Sequence, residues 1–161
     1  MRDEVDDLVE AWTRERSDLD LAPVEVFSRI SRLARLLDLA RRKAFADHDI
    51  ELWEFDVLAA LRRAGGDYEL SPGRLIRETL VTSGTMTNRV DRLTGRGFVE
   101  RLPDPNDRRG VLVRLTPDGR EAVDGAFEAL VAAERDLLAE LPAKDRRQLA
   151  GLLRRLMTPF S

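Results

Sequence analysis

Gly84, Asn88 and Arg92 recur at intervals of four in one stretch of this chain, with Thr85 and Thr87 beside them. At about 100° per residue they form one face of a helix. Met86, Val90 and Leu93 form the apolar face opposite. Small polar groups with an Asn and an Arg have the chemistry to read base edges. Asn pairs with adenine through two hydrogen bonds, Arg pairs likewise with guanine, and a Thr methyl meets the thymine methyl. Further on, Pro103-Asp104-Pro105-Asn106-Asp107-Arg108-Arg109-Gly110 places two arginines at a proline-bounded tip. Such a tip suits a narrow minor groove or its phosphates, with Asp107 as an orienting partner for Arg108 and Arg109.

These groups are useful only if neighbouring elements hold them in place. Ser71-Pro72 reads as a cap followed by proline at the first helical position, with Leu75 and Ile76 facing inward. Leu80-Val81-Thr82 reads as a turn, with Thr82 capping the next helix, and Gly97 stops that helix. Phe98 to Leu102 and Val111 to Leu115 read as two short strands joined by the tip. Helix, tight turn, helix and hairpin, in that order, are the plan of a winged helix-turn-helix. The expected DNA-facing set is Ser71, Arg74, Ser83, Gly84, Thr85, Thr87, Asn88, Arg92, Asp107, Arg108 and Arg109.

Charge supports this placement. Residues 71–115 carry nine arginines against five acids, a net of +4, which leaves −7 on the rest of a chain whose total is −3. A basic module on an acidic body is the electrostatic footprint of a DNA binder that does not adhere indiscriminately. Because arginine is preferred throughout, with only Lys43 and Lys144 as lysines, position matters more than arginine richness.

The flanks read as helices. Val5, Leu8, Val9 and Trp12 have helical spacing, and a long stripe runs from Val26 to about Phe45. A third helix, from about Leu52 to Arg63, is apolar nearly all round, so it belongs in the middle of a fold, and Gly65-Gly66 ends it. After Thr116-Pro117 a helix runs to about Leu141, and another runs from Lys144 to about Met157. The expected fold is mainly α with a small β wing: N-terminal helices over 1–46, a winged helix-turn-helix over 47–116 and C-terminal dimerisation helices over 117–161. Terminal helices this long and apolar exceed what the small module can cover. Intertwining with a second copy is the expectation, and a monomeric bundle is the alternative.

Several classes of function are disfavoured. With no cysteine there is no disulfide, thiol switch or thiolate zinc site. A lone His48 with scattered carboxylates offers neither a metal cluster nor a nucleophile–base pair, so no cofactor and no enzymatic activity are expected. The acidic N-terminus does not resemble a secretory signal, and no apolar run approaches the roughly 20 residues of a membrane span. A cytoplasmic protein without membrane contact is expected.

The runs Val81-Thr82-Ser83-Gly84-Thr85-Met86-Thr87-Asn88-Arg89-Val90-Asp91-Arg92-Leu93, Gly95-Arg96-Gly97-Phe98-Val99-Glu100-Arg101 and Leu115-Thr116-Pro117-Asp118-Gly119, together with the wing tip, resemble the MarR family of transcription regulators. The resemblance implies a dimeric winged-helix protein on double-stranded, palindromic operator DNA. It also implies a repressor, often released by a small anionic aromatic ligand.

Two charged residues stand apart. Asp56 lies within the apolar third helix, and Arg89 lies at the edge of the buried stripe. A half-buried carboxylate needs a partner, and Arg89 and Arg101 are the candidates. Periodicity alone leaves a structural ion-pair network as the alternative to a ligand site. Trp12, Asp56, Arg89 and Arg101 resemble the set that lines the ligand pocket in the urate-responsive branch of the family, which implies a urate-like effector. The chemistry is coherent: arginines neutralise a flat anion, Asp56 accepts from a ring N–H and Trp12 stacks. The alternatives are a regulator answering another phenolic or carboxylate anion, or a winged-helix module that binds protein instead of DNA.

Overall fold

The computed structural model describes residues 2–160, apart from the side chains of Arg108 and Phe160. Residues Met1–Ala40 and Arg41–Ser161 form two compact units.

In the first unit, Asp3 caps α1 (Glu4–Glu15) by accepting from the backbone N–H groups of Val5 and Asp6. Asp6 returns a bond to the Asp3 backbone at 2.7 Å, closing a reciprocal cap. Helix α2 (Ala22–Ala46) begins in this unit, where Arg29 grips Asp3 and Asp6 at 2.8 and 2.7 Å.

The second unit is built on α3 (Leu52–Ala64), which buries Phe55, Val57, Leu58, Ala59, Ala60 and Leu61. Apolar residues nearly all round it make it the middle of the core, as its composition predicts. Gly65, at φ 68°, ends it in a conformation a side chain would resist. Around α3 lie α4 (Pro72–Thr79), α5 (Ser83–Gly95) and a three-stranded antiparallel sheet. The strands β1 (Glu69–Leu70), β2 (Val99–Asp104) and β3 (Asp107–Leu115) stand in the order β1-β3-β2. Strand β1 was not expected, since two residues are too few to show an alternating pattern.

The wing also differs from the sequence reading. Its strands run through the predicted tip, so only Pro105 and Asn106 turn the chain, and Arg109 lies on a strand. Pro103 pairs opposite Val111 because β2 is an edge strand, where a missing N–H leaves no gap in the ladder.

Helix α6 (Pro117–Leu137) is capped by Thr116, whose hydroxyl accepts from the Gly119 N–H at 3.0 Å and donates to the Gly97 carbonyl at 2.7 Å. It stops short of the expected Leu141. Helix α7 (Ala143–Met157) follows and buries no residue among those described. Leu149, Leu152, Leu153, Leu156 and Met157 are exposed on it, as are Phe127 and Val131 on α6 and Phe27, Leu36 and Leu39 on α2. No described helix is long and apolar enough to cross a membrane.

Candidate nucleic-acid interface

The helix pair that would meet DNA is set by its caps. Ser71 accepts from the Arg74 N–H at 3.4 Å, and Pro72 occupies the first turn of α4. Arg74 itself is drawn along that helix to Glu78 at 3.2 Å. The turn runs through Leu80, a left-handed residue (φ 53°) whose side chain is 91% exposed. Thr82 then caps α5, accepting from the Thr85 N–H at 3.3 Å and sharing a hydroxyl bond with Thr85 at 2.9 Å.

Met86, Val90 and Leu93 are buried against the core, as their spacing predicts. Ser83, Gly84, Thr85, Thr87 and Asn88 are therefore turned to solvent. The Thr87 hydroxyl bonds back to the Ser83 carbonyl at 3.1 Å. The Asn88 carboxamide has no partner within the chain among the described residues, so both of its bonding edges are free.

Arg92 departs from the sequence reading. It shares the exposed side of α5 but folds back, with its guanidinium 4.5 Å from the centroid of the Trp53 ring and 3.2 Å from Glu51. Arg89 lies over the same ring at 5.7 Å. The Trp53 indole N–H is itself fixed to Glu51 at 2.7 Å. Cation–π attraction and a carboxylate thus hold two arginines of α5 to the start of α3.

In the wing, Asp107 accepts from the Arg109 backbone N–H at 2.9 Å and Asp104 from the Asn106 N–H at 2.8 Å. Asp107 thus shapes the turn through the backbone. The Arg109 side chain is exposed. The Arg108 side chain lies outside the described residues.

The expected partners of Asp56 are corrected. Asp56 is 47% exposed and pairs with Arg41 at 3.4 Å. Arg101 pairs with Asp91 at 2.6 Å and Arg89 faces Trp53, so neither meets Asp56. Trp12 stands on α1 in the first unit, 51% exposed. The buried acid is Glu54, at 1% exposure the one buried charged residue among the described residues. It bonds to Arg96 at 2.6 Å. Glu54, Arg96, Trp53 and Glu51 were given no site role in the sequence reading. One signal was present: on a helix apolar nearly all round, two acids two positions apart face different ways, and one of them must turn inward.

The descriptive model of the MarR family matches residues 48–110. The regulator PecS of Dickeya dadantii is 37% identical over 153 residues, covering 95% of this chain and 92% of that protein. The multiple antibiotic resistance protein MarR of Escherichia coli is 32% identical over 142 residues, covering 83% of this chain and 96% of that protein. The chain belongs to the MarR family.

A MarR variant from Escherichia coli, solved in complex with operator DNA, superimposes with a TM-score of 0.74 at 29% identity, over 85% of this chain and 96% of that one. BpsR of Bordetella bronchiseptica, whose DNA binding is regulated by 6-hydroxynicotinic acid, superimposes with a TM-score of 0.70 at 27% identity, over 81% of this chain and 91% of that one. This MarR family protein is a DNA-binding transcriptional regulator. Its relatives named here are transcription regulators.

Proposed function

We propose that this MarR family protein is a homodimeric repressor that binds a palindromic operator and is released by a small anionic aromatic ligand such as urate. One observation carries the DNA-reading part: the outer face of α5, from Ser83 to Asn88, is polar, small and exposed, with the Asn88 carboxamide free. A protein-binding face there would centre on aromatic or other large anchors, and the exposed residues from Ser83 to Asn88 include none. In this reading Ser71 and Arg74 at the start of α4 and Arg108 and Arg109 in the wing grip the DNA backbone, and Asp107 shapes the wing turn that presents the two arginines.

The apolar rows left exposed on α2, α6 and α7 support the dimer. A helix such as α7, with five apolar residues exposed, is stable in water once a second copy covers it. Two-fold symmetry in the protein calls for a palindrome in the operator.

Trp12, Asp56, Arg89 and Arg101 are the proposed effector residues. Arg89 on the Trp53 face and Arg101 beside Asp91 are partly exposed cations whose present partners a flat anion can replace. Because Arg89 lies on α5, ligand binding there carries a differential affinity for two positions of that helix. The likeness to BpsR favours a second effector reading, a hydroxylated aromatic carboxylate.

The test is fluorescence anisotropy on duplex DNA from upstream of the protein's own gene, with and without urate and with 6-hydroxynicotinate. Tight, salt-sensitive binding that urate weakens, with Asp56→Ala and Arg89→Ala resisting release, supports the full reading. Release by 6-hydroxynicotinate alone moves the effector to the second reading. Binding that neither compound affects keeps the repressor and discards the site. Binding with no salt dependence refutes the DNA reader itself.

A further inference from the structure

Glu54 is the most deeply buried charge described in this protein, and its partner stands at the end of the DNA-reading helix. Arg96 follows the last residue of α5, and its Nη1 donates to Glu54 Oε2 at 2.6 Å. Its Nη2 donates to both the backbone carbonyl and the carboxylate of Asp49, each at 2.7 Å. Asp49 is left-handed (φ 50°), in the turn between α2 and α3. The guanidinium also lies 4.6 Å from the centroid of the Phe98 ring, at the entry to the wing. Glu54 Oε2 further accepts from the Glu51 N–H at 2.9 Å, at the start of α3. One guanidinium thus joins the start of α3, the turn before it, the end of α5 and the base of the wing.

Such a pair adds little net stability. Desolvating two charges offsets most of their attraction, and an apolar pair of similar volume often serves as well. What it adds is direction. Met86, Val90 and Leu93 already hold α5 to the core by apolar contacts, which are non-directional and tolerate a few degrees of roll. A fork of short bonds at one end of the helix does not tolerate that roll.

We propose that Glu54 and Arg96 are positioning residues for base readout. They fix the roll of α5 so that Asn88 and its neighbours meet the correct base edges, while touching no DNA themselves. The proposal rests on α5 being the groove-reading helix.

The experiment compares Glu54→Gln, the apolar pair Glu54→Leu with Arg96→Met, and the wild-type protein. Each is titrated on duplex DNA from upstream of its own gene and on a shuffled duplex of equal length and composition, over a range of salt. Thermal unfolding is recorded alongside. For Glu54→Gln the expected result is about a tenfold fall in preference for the natural duplex, the discrimination of roughly one bidentate base contact. Affinity for the shuffled duplex and the salt slope should hold, because no phosphate contact is lost. The apolar pair should recover the wild-type melting temperature and still lack the preference. If it recovers both, or if Glu54→Gln keeps the full preference, the pair is structural only and the proposal is overturned. If Glu54→Gln does not fold, the apolar pair decides alone. A wild-type protein that binds both duplexes equally would remove the groove-reading assignment, and the positioning role with it.

Discussion

Leu80 occupies the turn between α4 and α5 at φ 53° and ψ 41°, where a Cβ crowds the following carbonyl. That conformation costs an L-residue about 1–2 kcal/mol. Glycine avoids the cost but gives the unfolded chain more freedom, which takes back about 0.4–1 kcal/mol. Leu80 is 91% exposed, so Leu80→Gly forfeits almost no burial within the chain. The balance is a stabilisation of about 0.5–1 kcal/mol, a rise in melting temperature of about 1–4 °C for a chain of this size. The assay is urea unfolding followed by far-UV circular dichroism, at fixed protein concentration because an oligomer's midpoint depends on it. The expected result is a higher midpoint at unchanged slope. Leu80→Ala, which keeps the Cβ, should show no such gain. A midpoint lowered by Leu80→Gly, or raised equally by both substitutions, would refute backbone strain as the controlling factor at this turn.

Further outcomes are expected elsewhere in the molecule. A Cβ at Gly119 would overlap the Phe98 carbonyl oxygen, so Gly119→Ala should force α6 away from the backbone that leads into β2. A loss of about 2 kcal/mol or more is expected in the same unfolding assay. Arg109→Ala should weaken DNA binding on every sequence and lower the salt slope by about 1 with the fold intact. Asn88→Ala should instead reduce discrimination between bases by about 1–3 kcal/mol, measured on duplexes with single base-pair changes. In the first unit, Arg29 draws the Asp3 carboxyl down from 3.8 to about 2. With its folded value depressed, Asp3 stabilises the α1–α2 junction fully above pH 3.8 and loses that contribution as the pH falls through about 2. A carbon-detected NMR titration of the Asp3 carboxyl checks the window, and a midpoint near 3.8 would show that Arg29 does not hold it.

The amino-acid sequence alone determined what depends on near neighbours. Ser71-Pro72, Thr82 and Thr116-Pro117 start their helices as read, because a cap is a bond between residues two or three apart. Met86, Val90 and Leu93 turn inward because a helix brings such spacings onto one side. Asn88 is exposed for the same reason. The wing was readable as a hairpin, although its two prolines made the loop look longer than it is. Only the tertiary structure decided which charges meet. Glu54 rather than Asp56 is the buried acid, and its partner Arg96 lies 42 residues along the chain. Arg92 turns back to Trp53 and Glu51, and Asp56 finds Arg41 instead of Arg89 or Arg101. Periodicity gives the direction in which a side chain leaves its own helix. It does not give the distance to a group on another helix, and Coulomb attraction and hydrogen bonding depend on that distance.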